Sequence, residues 1–207
     1  MGSKRRMFVV ILSFCLMLLT WANTENLYNN DDDWSIVYIP QRKIGIAIPK
    51  EFEVITQDTV KSDLVDDITL KNAISTMKAA DIYLDAFLPS IDADFVVNIK
   101  NNSIRAFSEY SERTKKDMLD SFLLGYEALG LEIISSEIVD INDISFFKIM
   151  SYNDINGEKY SLQYITFIDS QHICIGVSSF GGEINKEEEC ILEEIVKRSM
   201  LSKYESE

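Results

Sequence analysis

Histidine, cysteine and basic residues are scarce in this chain of 207 residues, and each shortage excludes a class of chemistry. The only histidine is His172, so a metal site or proton relay that needs two histidines of one chain is excluded. Of the three cysteines, Cys15 lies in an apolar N-terminal run. Cys174 falls on a predicted strand, and Cys190 falls nearly opposite the buried stripe of a predicted helix. We therefore expect two free thiols and no disulfide.

Positive charge is also in short supply. Lys and Arg number 20 against 34 Asp and Glu, which gives a formal net charge of −14. Such a surface repels the phosphates of nucleic acids and anionic lipid head groups, so we expect neither nucleic-acid binding nor electrostatic docking on a membrane. With 46% hydrophobic and 11% aromatic residues, the chain can still bury an ordinary core.

The N-terminal segment carries the most specific pattern in the chain. A basic cluster, Lys4-Arg5-Arg6, precedes an uncharged apolar run from Met7 to Leu19, and Thr20-Trp21-Ala22 places small residues at positions −3 and −1 of a cleavage after Ala22. The pattern predicts a signal peptide over residues 1–22 and a secreted or extracytoplasmic protein. A retained N-terminal membrane anchor is the alternative, although the run is short for a bilayer core of about 30 Å.

Three further segments are expected after the signal peptide. Residues 23–33 are polar and acidic without periodicity, so a disordered lead-in is predicted. Residues 34–201 form a single α+β domain, and residues 202–207 form a flexible tail. The run Asp31-Asp32-Asp33 lacks the spacing of a calcium-binding loop, so we interpret it as a solvated charge run.

Period-2 and helical patterns predict strands that outnumber helices and often follow one another directly. We expect an antiparallel sheet covered by helices on both faces, an α/β/α sandwich. The predicted elements are strands from Trp34 to Ile39 and Lys43 to Ile48, a helix from Asp66 to about Ala80, strands from Tyr83 to Pro89 and Phe95 to Lys100, a long helix from Ser103 to Gly130, a strand from Leu131 to Asp140, three strands between Phe146 and Phe180, and a helix after Asn185.

The register of the last strands is predicted from one dipeptide. Asn156-Gly157 favours a two-residue type I′ turn, because both residues tolerate positive φ. This turn would place Ile149 opposite Tyr164 and Phe147 opposite Thr166.

Candidate catalytic residues are few. Asp169 and Ser170 stand beside His172 in a predicted two-residue turn, where side chains rarely converge into a triad. The chain contains no Gly-x-Ser-x-Gly motif. We interpret the three residues as parts of a turn.

The acidic clusters also have local structural explanations. Asp63, Asp66 and Asp67 open a helix, where negative side chains suit the helix dipole. Asp140, Asn142 and Asp143 border a turn, where such side chains bond their own backbone. We therefore assign no catalytic, cofactor-binding or metal-binding residue and expect no cofactor. Asn101-Asn102-Ser103 matches a glycosylation sequon, which matters only in an organism that glycosylates exported proteins.

The order of elements resembles the PsbP/DcrB-like superfamily. The resemblance is carried by Ile44-Gly45-Ile46-Ala47-Ile48-Pro49 with Phe52, followed by the long helix, the meander and the terminal helix, and it covers about Trp34 to Leu201. It implies an exported α/β/α sandwich that serves as an accessory or binding module without enzymatic activity. No functional residue is carried over, because the superfamily offers no shared site motif to match.

Two classes of function stay open at the level of sequence. The first is an exported, monomeric, non-enzymatic binding or accessory module for an unknown protein partner. The second is a small exported hydrolase or metal-dependent enzyme whose carboxylates are far apart in sequence. A deep pocket with converging carboxylates of perturbed pKa would favour the enzyme, and a shallow groove with apolar rims would favour binding.

Overall fold

The computed structural model describes residues 30–62, 65–88, 90–154, 159–179 and 181–201. The predicted signal peptide, the Asn156-Gly157 turn and the C-terminal tail lie outside these ranges. Within them the elements are β1 (Trp34–Ile39), β2 (Ile44–Pro49), β3 (Glu53–Thr56), α1 (Asp67–Ala79), β4 (Ile82–Phe87), β5 (Ala93–Asn101), α2 (Glu112–Ala128), β6 (Glu132–Ile141), β7 (Ile144–Asn153), β8 (Lys159–Ile168), β9 (Gln171–Ser179) and α3 (Lys186–Arg198).

Seven strands form one antiparallel sheet in the order β3-β4-β5-β9-β8-β7-β6, and β1 and β2 form a separate hairpin. The meander β6 to β9 therefore joins the first half of the sheet through the β5–β9 pair. Helices cover both faces, so the predicted fold class, an antiparallel sheet within an α/β/α sandwich, is confirmed. The four-residue strand β3 has no counterpart among the predicted strands.

One face of the sheet holds the main core. Alternate residues of β5 and β9 meet on it, with Phe95 opposite Val177 and Ile99 opposite Ile173. The apolar stripe of α3 and the β1–β2 hairpin pack on this face. The helix and hairpin residues buried there are Ile191, Leu192, Ile195 and Val196 of α3 and Ile44, Ile46 and Ile48 of β2.

The opposite face is covered by α1 and α2 over two separate apolar clusters. Leu70 and Met77 of α1 pack on Ile55 of β3 at one side of the sheet. Leu119 of α2 packs with Phe147 and neighbouring residues of β7 and β8 at the other side. The middle of this face, on β5 and β9, lies between the two clusters.

The β1–β2 hairpin is tied to the rest of the fold at two points. Arg42 in its turn donates to the Tyr83 hydroxyl at 2.7 Å and to Asn101 Oδ1, and its guanidinium lies 4.8 Å from the centre of the Tyr83 ring. On the other edge of β2, Gly45 and Met200 exchange backbone hydrogen bonds of 3.0 and 2.7 Å. The segment after α3 therefore joins the hairpin as a short extra pairing.

Helix α2 begins later than predicted. The predicted helix starts at Ser103, whereas the structure has Ser111 as the N-cap, its hydroxyl accepting from the Thr114 N–H at 3.3 Å. A 3-10 turn at Phe107–Glu109 intervenes and buries Phe107 against the sheet. The apolar spacing that predicted one long helix thus belongs to two elements.

Helix α3 begins where the sequence predicts. Asn185 Oδ1 accepts from the Glu188 N–H at 3.0 Å, and Glu188 Oε2 accepts from the Asn185 N–H at 2.9 Å. This is the reciprocal capping box that Asn185 and Glu188 predict.

The β7–β8 register differs by one residue from the prediction. Phe147 pairs with Ile165 and Lys148 with Tyr164, so Tyr164 does not face Ile149. Asn153 likewise pairs with Lys159, one residue away from the predicted register. Because the strand from Phe146 is apolar on both faces, its pattern does not distinguish registers one residue apart.

Tight turns occur at the β6–β7 and β8–β9 hairpins. Asn142 and Asp143 have φ of 50° and 63°, and Asp169 and Ser170 have φ of 51° and 61°. Both pairs are the central residues of two-residue turns, because Ile141 pairs with Ile144 and Ile168 with Gln171. The two-residue turn predicted at Asp169-Ser170 is confirmed.

Candidate functional site

A row of polar side chains interrupts the apolar surface of the sheet between α1 and α2. We call it the polar stripe and define it as Asp85 on β4, Asp94 on β5, Ser161 and Gln163 on β8, and Ser178 on β9. The register sets Asp94 opposite Ser178 and Ser178 opposite Ser161. Asp85 points to the same face as Phe87, because side chains two residues apart on a strand share a face. Phe87 packs beneath α1.

The two carboxyl groups of the stripe are in an unfavourable environment for charge. Burial, with the charge of Asp94 as the second cause, raises the pKa of Asp85 to about 6 against an opposing effect of Lys159. Burial also raises the pKa of Asp94, again opposed by Lys159. Oδ1 of Asp85 is buried and accepts no hydrogen bond from the described residues. Both groups therefore keep an incompletely compensated charge near neutral pH.

Strands β8 and β9 approach closely beneath the stripe. A Cβ atom at Gly176 would lie 3.1 Å from the Leu162 carbonyl oxygen and 3.1 Å from Gln163 Cγ, so only glycine fits without a local shift. Glycine at this position therefore allows the two strands to pack closely.

Hydroxyl and amide groups complete the stripe. The Ser161 and Ser178 hydroxyls are 3.1 Å apart and hydrogen-bond each other. Gln163 Oε1 accepts from the Tyr126 hydroxyl, which links the floor of the stripe to α2. Burial raises the pKa of Tyr126, so its hydroxyl stays protonated and acts as a donor.

The polar stripe places hydrogen-bond acceptors near the protein surface, at the edge of a region from which water is largely excluded. Ionised Asp85 and Asp94 can only accept hydrogen bonds. A group that donates several hydrogen bonds and carries positive charge, such as guanidinium or ammonium, matches this set. An anion would meet two like charges.

Sequence reasoning did not single out Asp85 or Asp94. The available signal is that both stand inside strands, where aspartate is disfavoured, and alternation places Asp85 on a covered face. Their juxtaposition is a product of the β4–β5 register, which no local pattern reports.

The residues that resemble a triad do not converge. Asp169 and Ser170 are exposed in the β8–β9 turn, whereas His172 lies on β9 against aromatic rings, with centroids 5.3 Å from Phe167 and 6.0 Å from Phe122. Burial lowers the pKa of His172, with Lys100 as a second cause. Within the described chain, His172 shares no hydrogen bond with Ser170 or Asp169.

The acidic clusters identified from sequence are structural where the chain is described. Asp66 caps α1, accepting from the Ile68 and Thr69 N–H groups at 2.9 and 3.0 Å. Asn142 and Asp143 form the β6–β7 turn, and Asp63 lies outside the described residues.

Cysteine chemistry gives no site in this region. Cys174 and Cys190 are not joined by a disulfide. Burial raises the pKa of the Cys174 thiol to about 12, so it is not a thiolate at neutral pH.

A second polar cluster lies at the other end of α2. Lys115 Nζ donates to Glu112 at 2.8 Å and to Ser145 Oγ at 3.0 Å, and Ser145 Oγ donates to Asp140 at 2.5 Å. The ammonium also lies 5.5 Å from the centre of the Phe107 ring. These contacts compensate the positive charge of the buried Lys115, so the stability of the fold explains the cluster.

A small cavity of about 170 Å³ adjoins this cluster. The walls of the cavity are mainly apolar, and the polar residues Ser145 and Thr166 also line it. The Thr166 hydroxyl donates to the Ser145 carbonyl oxygen at 2.8 Å. Both hydroxyl protons are therefore used inside the fold.

Two negative findings apply to the described ranges alone. No three or more His, Cys, Asp or Glu side chains in these ranges come together as a metal-binding group. No helix there combines the length and the apolar character needed to cross a membrane.

Comparison with known proteins returns similarity of structure alone. No protein family model matches the chain, and no curated protein matches it. Among solved structures, it is similar to the cyanobacterial PsbP of Synechocystis, with 8% sequence identity and a TM-score of 0.47 over 83% of this chain and 94% of that one. Similarity at this level of identity concerns the fold alone.

A second similar structure comes from Bacteroides thetaiotaomicron. It shares 12% sequence identity and a TM-score of 0.45 over 81% of this chain and 48% of that one. The chain thus spans about half the length of that protein. Function is argued below from the residues of this chain.

Proposed function

We propose that this protein is an exported, non-enzymatic binding module that holds a cationic side chain of a partner protein, lysine or arginine, against the polar stripe. The observation that carries the proposal is the pair Asp85 and Asp94, which lie on neighbouring strands with both pKa values raised. Two partly dehydrated carboxylates cost free energy in the unbound protein. Perturbed pairs of this kind concentrate at functional sites, where a ligand removes the cost.

A cation fits the stripe better than any other ligand class. Oδ1 of Asp85 has no donor among the described residues, and Asp94 stands beside the paired serine hydroxyls. Guanidinium presents several N–H donors in one plane and is weakly hydrated, so it can satisfy two carboxylates at once. Binding would also restore the ordinary ionisation of both groups.

The same residues favour binding over catalysis. The stripe contains carboxylates, hydroxyls and an amide. Two carboxylates can act as acid and base in a hydrolase, but the stripe has no histidine or cysteine that could serve as a nucleophile or its base for acyl transfer. The serine hydroxyls of the stripe hydrogen-bond each other. A binding role requires only the acceptors that are present.

The test is a titration of the purified protein with butylguanidinium and with its uncharged analogue butylurea, followed by amide NMR shifts. We expect butylguanidinium to shift the amides of Asp85, Asp94 and Ser178, and butylurea to leave them unchanged. Binding should weaken as pH falls through about 6, where Asp85 takes up a proton.

Two variants make this test specific. Asp85→Asn should weaken butylguanidinium binding on the order of tenfold, the effect of losing one charge-assisted contact. Asp120→Asn, on the exposed side of α2, removes the same charge and should change nothing. Equal binding of butylurea, or equal losses in both variants, would refute the proposal.

A further inference from the structure

The two edges of the seven-stranded sheet are protected to very different degrees. Strand β3 has four residues, none of them exposed. The loop after it folds back, with Thr59 Oγ1 accepting from the Thr56 N–H at 2.8 Å and Ser62 Oγ donating to Glu53 at 2.7 Å. This edge is short and partly satisfied by its own loop.

Strand β6 forms the other edge and is open. It has ten residues, of which six are exposed, and it pairs only with β7 within the described chain. Natural sheets commonly keep edge strands short or cover them. A register shift between Ile133 and Ser135 interrupts this edge, and from Ser135 to Ile141 it is the kind of surface to which another strand can add.

The register identifies which backbone groups are available. Ile141 and Ile144 close a two-residue turn and form a hydrogen-bonded pair, so Val139 and Glu137 also bond towards β7. The alternate residues therefore direct their N–H and C=O groups away from the sheet. These residues are Ser136, Ile138 and Asp140.

The charge of this edge is of one sign. From Glu132 to Asp143 the chain carries four acids and no Lys or Arg. Lys148 on β7 approaches Glu137 at 3.7 Å but is bound more closely, at 2.8 Å, to Glu189 of α3. The edge therefore repels acidic strands and attracts basic ones.

The same charges argue against a second copy of this chain. An antiparallel β6–β6 pairing that joins Ser136 to Ile138 of the second copy would set the two Glu137 side chains opposite each other. Like charges directly opposite are destabilising. The complementary occupant is a strand with Lys or Arg at alternate positions.

We propose that the open edge of β6 is a docking surface for an extended, Lys- or Arg-bearing segment of a partner protein, which adds as an eighth strand. Backbone bonds to Ser136, Ile138 and Asp140 hold the segment, and the acids along the edge select its charge. This surface is at the far side of the sheet from β4 and does not depend on the polar stripe.

The test uses two synthetic hexapeptides, one alternating lysine with valine and one alternating glutamate with valine. The basic peptide should slow hydrogen exchange at the amides of Ser136, Ile138 and Asp140 in the purified protein, and the acidic peptide should not. Protection of these three amides is the readout, and a lysine side chain that binds the polar stripe does not produce it, so failure of the stripe and failure of the edge give different results.

Two variants test the edge itself. Ser136→Pro removes one outward amide and none of the bonds to β7, so the fold should persist while the affinity falls on the order of tenfold. Glu132→Lys changes only an exposed side chain and should weaken the basic peptide while strengthening the acidic one. An unchanged affinity in both variants, or exchange at Ser136, Ile138 and Asp140 that the basic peptide does not slow, would overturn the proposal, and the acids would then serve only to keep the edge unpaired.

Discussion

At Asp85 the sheet carries a charge where burial disfavours it. The carboxyl group has a pKa of about 6 in the folded protein against 3.8 for the ordinary group. Between these two values the folded state binds more protons than the unfolded state, so the free energy of unfolding falls as pH rises. The loss of unfolding free energy is complete above about pH 6 and absent below about pH 4, because it develops only between the two pKa values.

Asp85→Asn should therefore stabilise the protein at neutral pH. We expect a gain of about 1 to 3 kcal/mol in the free energy of unfolding at pH 7.5, the equivalent of a shift of one to two pKa units. The gain should disappear at about pH 4, where the wild-type carboxyl is neutral in both states. Urea unfolding at both pH values measures the effect, with Asp120→Asn as the control. Equal free energies of unfolding for wild type and Asp85→Asn at pH 7.5 would show that burial does not destabilise the charged Asp85 carboxylate.

At the scale of elements, glycine has opposite effects in a strand and in a helix. Gly176 permits the close approach of β8 and β9, because a Cβ there would meet the Leu162 carbonyl oxygen at 3.1 Å. Gly125 lies inside α2, and a Cβ at that position would meet nothing within 4 Å. The first glycine is required by packing, and the second only adds flexibility to the helix.

Substitutions at these two glycines should change stability in opposite directions. Gly176→Val should lower the free energy of unfolding by about 1 to 3 kcal/mol through overpacking. Gly125→Ala should raise it by up to about 1 kcal/mol, the difference in helix propensity. Urea midpoints of the two variants against wild type provide the measurement. A stable Gly176→Val protein would contradict the strand contact.

The turns show where local signals fail at this scale. Asn156-Gly157 is the strongest turn signal in the chain, yet the β7–β8 register predicted from it is wrong by one residue where the strands are described, with Phe147 opposite Ile165. Asp169-Ser170 has a weaker signal and makes the tight turn. Local propensity is therefore outweighed by the packing of the strands on either side.

At the scale of the whole molecule, function depends on the compartment in which the protein is located. Residues 1–22 carry the basic, apolar and small-residue succession of a signal peptide. Both proposed surfaces are acidic, and after the predicted export they would meet a partner outside the cytoplasm.

N-terminal sequencing of the exported protein tests this placement. We expect the mature chain to begin at or near Asn23, because cleavage follows Ala22 in the predicted pattern. A protein that starts at Met1 and fractionates with membranes would identify the segment as a retained anchor instead.

The sequence by itself determined most of the elements of this protein. Strand β1, helix α1 and the capping box at Asn185 follow from patterns within a few residues, because caps and periodicity are local properties. The fold class follows from the order of those elements. Helix α2 is the exception, since Phe107 belongs to the apolar pattern of the helix but lies in a separate turn.

Only the tertiary structure decided the candidate surfaces. Asp94 is opposite Ser178 because β9 pairs with β5, a contact between strands far apart in sequence. Strand β6 is an open edge because the sheet ends with it, with β9, β8 and β7 lying between it and β5. Both features arise from the pairing of distant strands, which depends on the packing of the whole core and leaves no signal in any short stretch of the chain.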